Sequence, residues 1–171
     1  MIELFEGNRA KIYLIDYYGK KAVLKKLRAG KPDTLKKEVQ ILRTLDRFAP
    51  KIYEWGPGYI VMEYVDGISF KEAVKRDFKR SVRLALDACY YLDQKGVYHK
   101  ELGRYHHLLF AKDLSWVKVI DFERAVVRSN PRNVLQFIGF YLRAFDLRKE
   151  IELYKKDKKA GYKALLRALD V

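Results

Sequence analysis

An α+β fold is predicted for this chain, with a β-rich region over residues 1–66 followed by a reduced helical region over residues 67–171. Three observations predict it. Up to about residue 64, β-branched and aromatic residues alternate with polar ones in short runs broken by glycine and proline. From about residue 69 onward the apolar residues recur instead at helical spacing. A chain of 171 residues that is 49% hydrophobic and 14% aromatic also has enough apolar material for one core shared by both regions.

Residues 2–6, 10–17 and 21–27 are predicted strands, with Tyr18-Gly19-Lys20 supplying the turn between the last two. Pro32-Asp33 gives a start signal, and Leu35, Val39, Leu42 and Leu45 then predict an amphipathic helix over 34–47. Two more strands, 51–55 and 59–64, flank Gly56-Pro57-Gly58, whose residues force a turn. In the second region Ser69-Phe70-Lys71-Glu72 has the form of a capping box, and a longer helix is predicted over 79–95. Residues 108–110 and 117–121 suggest a hairpin. Asn130-Pro131 then opens a helix, Asn as cap and Pro at its first position, with an apolar stripe of Val134, Phe137, Ile138, Tyr141, Leu142 and Phe145. The stretch 148–169 is a charged helix or helix pair broken near Gly161.

Lys and Arg number 36 against 22 Asp and Glu, a formal charge of +14. Despite that charge, the large apolar and aromatic fraction excludes a wholly disordered basic tail. The single cysteine, Cys89, has no internal disulfide partner, and no Cys/His set has zinc-finger spacing. A reducing, cytoplasmic setting is expected. The acidic opening Met1-Ile2-Glu3 argues against an export signal, and no run of about 18 uncharged apolar residues exists, so no membrane partner is expected. Asn, Gln, Met and Cys are scarce beside abundant Lys and Arg, as in proteins that avoid thermolabile side chains.

Several short blocks carry chemistry. Ala22-Val23-Leu24-Lys25 falls on the third strand and Glu38 on the helix after it. Tyr59-Ile60-Val61-Met62-Glu63-Tyr64-Val65-Asp66-Gly67 is an extended connector between the regions. Val97-Tyr98-His99-Lys100-Glu101 leads into Tyr105-His106-His107, and the strand Val117-Lys118-Val119-Ile120 ends in Asp121-Phe122. In this order the blocks resemble the protein-kinase superfamily in its reduced archaeal form, the RIO kinases and the small kinase of the tRNA-modifying KEOPS complex. The resemblance covers residues 2–125 and implies a bilobal fold, ATP and Mg2+ as cofactors, and one catalytic unit.

What the resemblance implies for single residues is specific. Lys25, oriented by Glu38, would hold ATP phosphates as a fixed counter-charge. Glu63 and Val65 would lie at the hinge beside adenine, Gly7 would face the phosphates from a degenerate glycine loop, and His99 would be structural. Asp121 would bind magnesium with His106 beside it, and Glu101 would orient the attacking hydroxyl. The chain departs from the family twice, with Glu101 where an aspartate stands and His106 where a magnesium-binding asparagine stands; one extra residue in the loop would put His107 there instead. Three histidines within nine residues also allow a His-based metal site.

The positive charge is uneven. Residues 18–51 carry eleven basic side chains against three acidic ones. One basic group contains Lys20, Lys21, Lys26 and Arg28, and another Lys155, Lys156, Lys158 and Lys159. Such groups suit a phosphate backbone, and Tyr98 and Tyr105 could stack on unpaired bases. The resemblance also implies that the activation segment and peptide-docking helices of protein kinases are missing. A basic kinase-like chain without a peptide platform points to an acceptor hydroxyl in RNA, and the resemblance, sharpened to the small archaeal RNA kinases, implies ATP-dependent phosphorylation of a ribose 2′-hydroxyl in tRNA that supports tRNA thermostability. The alternatives are an atypical Ser/Thr protein kinase and an RNA-binding module without transfer.

Overall fold

The computed structural model describes residues 1–171. Strands β1 (Ile2–Glu6), β2 (Ala10–Tyr17), β3 (Lys20–Leu27), β4 (Ile52–Gly56) and β5 (Tyr59–Glu63) form one antiparallel sheet in the order β1-β2-β3-β5-β4. β3 pairs with β5 so that Lys25 faces Ile60 and Ala22 faces Glu63, which places Lys25 in the middle of the sheet. Helix α1 (Leu35–Leu42) contacts β4 and β5 and buries Leu35, Glu38, Val39, Ile41 and Leu42.

α1 ends five residues before the periodicity predicts. The Thr44 hydroxyl donates to the Ile41 carbonyl at 2.7 Å, and Thr44 and Leu45 N–H groups bond three residues back, which tightens and closes the helix. Phe48 then takes a left-handed φ of 58° that turns the chain toward β4.

The second region contains β6 (Ile68–Ser69), α2 (Phe70–Arg76), α3 (Phe78–Gln94), β7 (Val97–Tyr98), a 3-10 turn over Tyr105–His107, and β8 (Leu108–Phe110). It continues through β9 (Val117–Val119), β10 (Val126–Val127), α4 (Asn133–Tyr141), α5 (Arg148–Lys156) and α6 (Lys158–Leu169). Ser69 caps α2 by accepting from the Glu72 N–H, while Glu72 pairs with Lys75 at 3.4 Å. The expected cap of α4 is replaced: the helix begins at Asn133, and the Asp93 carboxylate of α3 accepts the N–H groups of Asn133 (2.8 Å) and Val134 (3.3 Å). A carboxylate at the positive end of a helix satisfies the orphan donors that a local cap would take. The stripe of α4 stops at Leu142, and Phe145 lies beyond it, stacked on Phe78.

The final helices break at Asp157, not at Gly161. Asp157 ends α5 and its side chain caps α6 by accepting from the Ala160 N–H at 3.1 Å. Gly161 lies inside α6, where a Cβ would collide with the backbone of Tyr154. Its role is close approach of α5 and α6. One hydrophobic cluster runs from Leu35 and Ile60 through Leu86 and Leu92 to Phe137 and Leu165, so sheet and helices share a core. Each such buried Leu or Phe contributes roughly 1.5–3 kcal/mol. No helix is long and apolar enough to cross a membrane.

Candidate active site

A cleft of about 420 Å³ opens between the sheet and the loops that follow α3. Leu4, Phe5, Ile12 and Val23 line its sheet side, and Leu109 and Ile120 line the opposite side. The connector Met62 to Val65 closes its back, and Lys25, His107 and Asp121 occupy its polar end. An apolar slot with charge at one end suits a flat ring carrying an anionic tail.

Lys25 is 4% and Glu38 1% exposed, and the Lys25 ammonium donates to both carboxylate oxygens of Glu38, at 2.9 and 3.1 Å. Burial alone would lower Lys25, but the carboxylates of Glu38 and Asp121 more than reverse this and hold its ammonium above the ordinary lysine range. Asp121 Oδ1 lies 3.6 Å from the same ammonium. The second Glu38 oxygen also accepts the Phe122 N–H at 2.9 Å. α1 therefore fixes both the lysine and the backbone next to Asp121.

Asp121 has φ 62°, a left-handed conformation that a β-carbon disfavours. Its carboxyl sits well below the usual range: burial raises it, but the His107 ring and the Lys25 charge outweigh that effect. His107 Nδ1 lies 3.1 Å from the Glu101 carbonyl oxygen, which can only accept, so Nδ1 carries a proton. The other nitrogen, Nε2, lies 3.3 Å from Asp121 Oδ2. A proton or a cation between these two atoms would join the ring to the carboxylate. The ligand atoms of Glu101, His107 and Asp121 lie within 4.8 Å of one another. This set of two carboxylates and one imidazole fits a divalent cation.

His107, and not the expected His106, has its ring nitrogen within reach of the Asp121 and Glu101 carboxylates. The 3-10 turn leaves the His106 ring exposed at the same cleft, edge-on against His107 at 4.6 Å, whereas His107 is 3% exposed and faces Asp121. His99 is structural. It accepts the Glu101 N–H at Nδ1 (3.1 Å), which leaves Nε2 to donate to the Ile120 carbonyl (2.9 Å), and burial pushes it down to about 4.

Gly7 is a second correction. Its N–H donates to the Ala10 carbonyl at 2.9 Å and its carbonyl accepts from Arg28, so its backbone closes the β1–β2 turn while Leu4 and Phe5 line the cleft. Arg28 is thereby engaged as well, with Glu6 at 3.3 Å, and is not a free cation for RNA. Glu63 lines the cleft, but its carboxylate is taken by Lys118 at 2.6 Å. The backbone groups of Val65 take no part in the protein's backbone hydrogen bonding. Lys20, Lys21 and Lys26 are exposed on the sheet. On the α5–α6 hairpin Lys156 and Lys159 are exposed, Lys158 is half-buried, and Lys155 pairs with Glu152 at 3.1 Å.

A set of residues that sequence patterns did not single out holds the loop bearing Glu101. Asn133 accepts the His99 N–H (3.0 Å) and donates to the Val97 carbonyl (2.6 Å). Gln136 donates to the Lys100 carbonyl (3.0 Å), and the Tyr141 hydroxyl to the Leu102 carbonyl (2.6 Å). Asp93, 3% exposed, accepts from Asn133 and from the Tyr154 hydroxyl. α4 thus supports the loop at Val97, His99, Lys100 and Leu102, with Lys100 held at φ 76°. The available signal was the presence of polar Asp93 and Asn133 on otherwise apolar helix faces. No protein-family model and no curated protein matches the chain.

Proposed function

We propose that the protein is an ATP-dependent phosphotransferase of bilobal, protein-kinase-like architecture that transfers the γ-phosphate to a ribose 2′-hydroxyl in tRNA. The observation that carries this reading is the buried Lys25–Glu38 pair directed at Asp121 at the polar end of an apolar cleft. A lysine clamped by a carboxylate beside a low-pKa aspartate is suited to polyphosphate with a divalent ion and has no comparable use in a passive surface. The apolar slot takes adenine, with Val65 offering its backbone groups at the rear.

Asp121 and His107 hold magnesium on this reading, with Glu101 adjacent. A bound magnesium ion neutralises phosphate charge. Lys25 steadies the phosphates while Glu38 keeps its ammonium charged and aimed. Glu101 orients the acceptor hydroxyl and takes its proton as the oxygen–phosphorus bond forms and the bond to the leaving diphosphate breaks. Alignment and charge neutralisation supply most of the rate gain in such transfers. The net charge of +14 and the exposed lysines of the sheet and the α5–α6 hairpin favour a polyanionic acceptor, and the resemblance to reduced archaeal kinases favours tRNA.

The test is incubation with γ-labelled ATP, magnesium, bulk tRNA and cell protein. Label in tRNA that survives as a 2′-phosphonucleotide after nuclease digestion is the expected result. Label confined to protein makes it a protein kinase, and salt-sensitive tRNA binding with no label in either makes it a binding module.

A further inference from the structure

A second cleft, of about 640 Å³, lies beside the loop that bears Glu101 and is not used by the chemistry above. Arg132 and Arg143 flank the two ends of α4 and Lys155 reaches in from α5; Tyr98, Gln136 and Phe140 supply polar and aromatic surface. No acidic residue lines it. Both arginines are exposed and neither side chain has a hydrogen bond or ion pair within the protein, while Lys155 has only its exposed partner Glu152.

We infer that this cleft seats one unpaired nucleotide of the RNA acceptor, its base against Tyr98 and Phe140 and its phosphates on Arg132, Arg143 and Lys155. Phe140 is 55% exposed although it covers Gly103, where a Cβ would meet its ring at 2.8 Å, so its free face is a platform fixed to the loop. Bases stack on such faces with little dependence on sequence, and guanidinium groups pair with phosphate oxygens through a fixed fork. Gln136 ties the floor of the cleft to the loop. Its Nε2 donates to the Lys100 carbonyl, which fixes the amide, since the reversed group would set two oxygens face to face. Oε1 is then a buried acceptor without a partner.

The cleft adjoins the loop that bears Glu101. Tyr98 and the Lys100 carbonyl adjoin the cleft on one side, and Glu101 follows Lys100 directly. A nucleotide held there keeps its strand against the catalytic loop, on a different set of residues from those lining the ATP cleft.

This assignment rests on the RNA-kinase reading, and binding and transfer are therefore measured separately. Fluorescein-labelled bulk tRNA is titrated with wild type, with an Arg132→Glu/Arg143→Glu variant, and with a Lys75→Glu/Lys112→Glu variant that makes the same charge change on another exposed surface. Circular-dichroism melting verifies that each variant is folded. The cleft variant is expected to raise Kd at least tenfold beyond the control and to flatten the log–log salt dependence by about 1.4, two contacts at about 0.7 each on unpaired strands. Equal Kd values for the two variants, or displacement of tRNA by poly-glutamate as effectively as by oligoribonucleotide, overturn the assignment. Transfer of labelled phosphate into tRNA by wild type with unchanged binding by the cleft variant overturns the cleft alone. Cleft-dependent binding without transfer overturns the kinase reading and upholds the cleft, and absence of tRNA binding by wild type overturns both.

Discussion

Replacing Glu38 by Gln removes one charge from a buried pair and leaves its shape. Removing one partner of such a pair costs about 3–5 kcal/mol, because the remaining charge stays desolvated. Asp121, at 3.6 Å from Lys25, retains part of the attraction, so the lower end applies, about 3 kcal/mol. At roughly 2–4 °C per kcal/mol for a chain of this size, the melting temperature should fall by about 6–12 °C. Lys25→Met alone leaves Glu38 buried with only the Phe122 N–H and should cost a similar amount. The double variant Lys25→Met/Glu38→Leu should recover most of the loss, since a buried pair replaced by apolar groups is close to neutral. Differential scanning calorimetry on these variants together with Glu38→Leu, which closes the cycle, measures this as a coupling of about 2 kcal/mol or more. Additive losses, or a Glu38→Gln melting point within about 2 °C of wild type, would refute the claim that these groups form one desolvated unit. Below its melting point Glu38→Gln should also raise KM for ATP.

Three further outcomes are expected. Folded His99 remains neutral down to about pH 4, while the unfolded chain protonates near 6.5, so the folded state binds fewer protons in that interval. Its contribution is complete above about pH 6.5 and falls by about 3 kcal/mol as the pH drops to 4; an NMR titration of the ring with a midpoint near 6.5 would contradict this. His107→Ala should weaken binding of Mn2+, used as a paramagnetic probe, by tenfold or more, whereas His106→Ala should change it less than twofold; equal effects would return the ligand role to His106. Gly161→Ala should destabilise by about 2 kcal/mol in urea unfolding despite the better helix propensity of Ala, because the new methyl meets the Tyr154 backbone; a stabilised variant would mean that α5 and α6 are not so closely packed.

The parts legible in the sequence are those encoded by neighbouring residues. The first five strands alternate visibly, and Lys25, Glu38 and Asp121 lie in local blocks whose residue types suit one purpose. The structure brings these three side chains together. His107 was obscured because a 3-10 turn changes which of two adjacent rings faces inward, and no pattern in Tyr105-His106-His107 records that rotation. Gly7 was over-read because a single glycine serves a strand turn as readily as a phosphate loop. Glycine lowers helix propensity, so the pattern points to a break at Gly161, yet the Asp157 cap decides it. Least legible was the support of the loop by Asp93, Asn133 and Gln136, whose partners lie 34 to 41 residues away in the chain. A polar residue on an apolar face signals only that some partner exists.

The central claim is tested most directly by Asp121→Asn, which removes the charge at the meeting point of Lys25 and His107 while preserving size. Transfer of γ-labelled phosphate from ATP into tRNA is measured for wild type and variant, with tRNA affinity measured in parallel. The account predicts label in tRNA with wild type, a loss of at least a hundredfold in the variant, and tRNA affinity within about twofold of wild type. Wild-type transfer by Asp121→Asn would contradict it, because the site would then lie elsewhere in the fold.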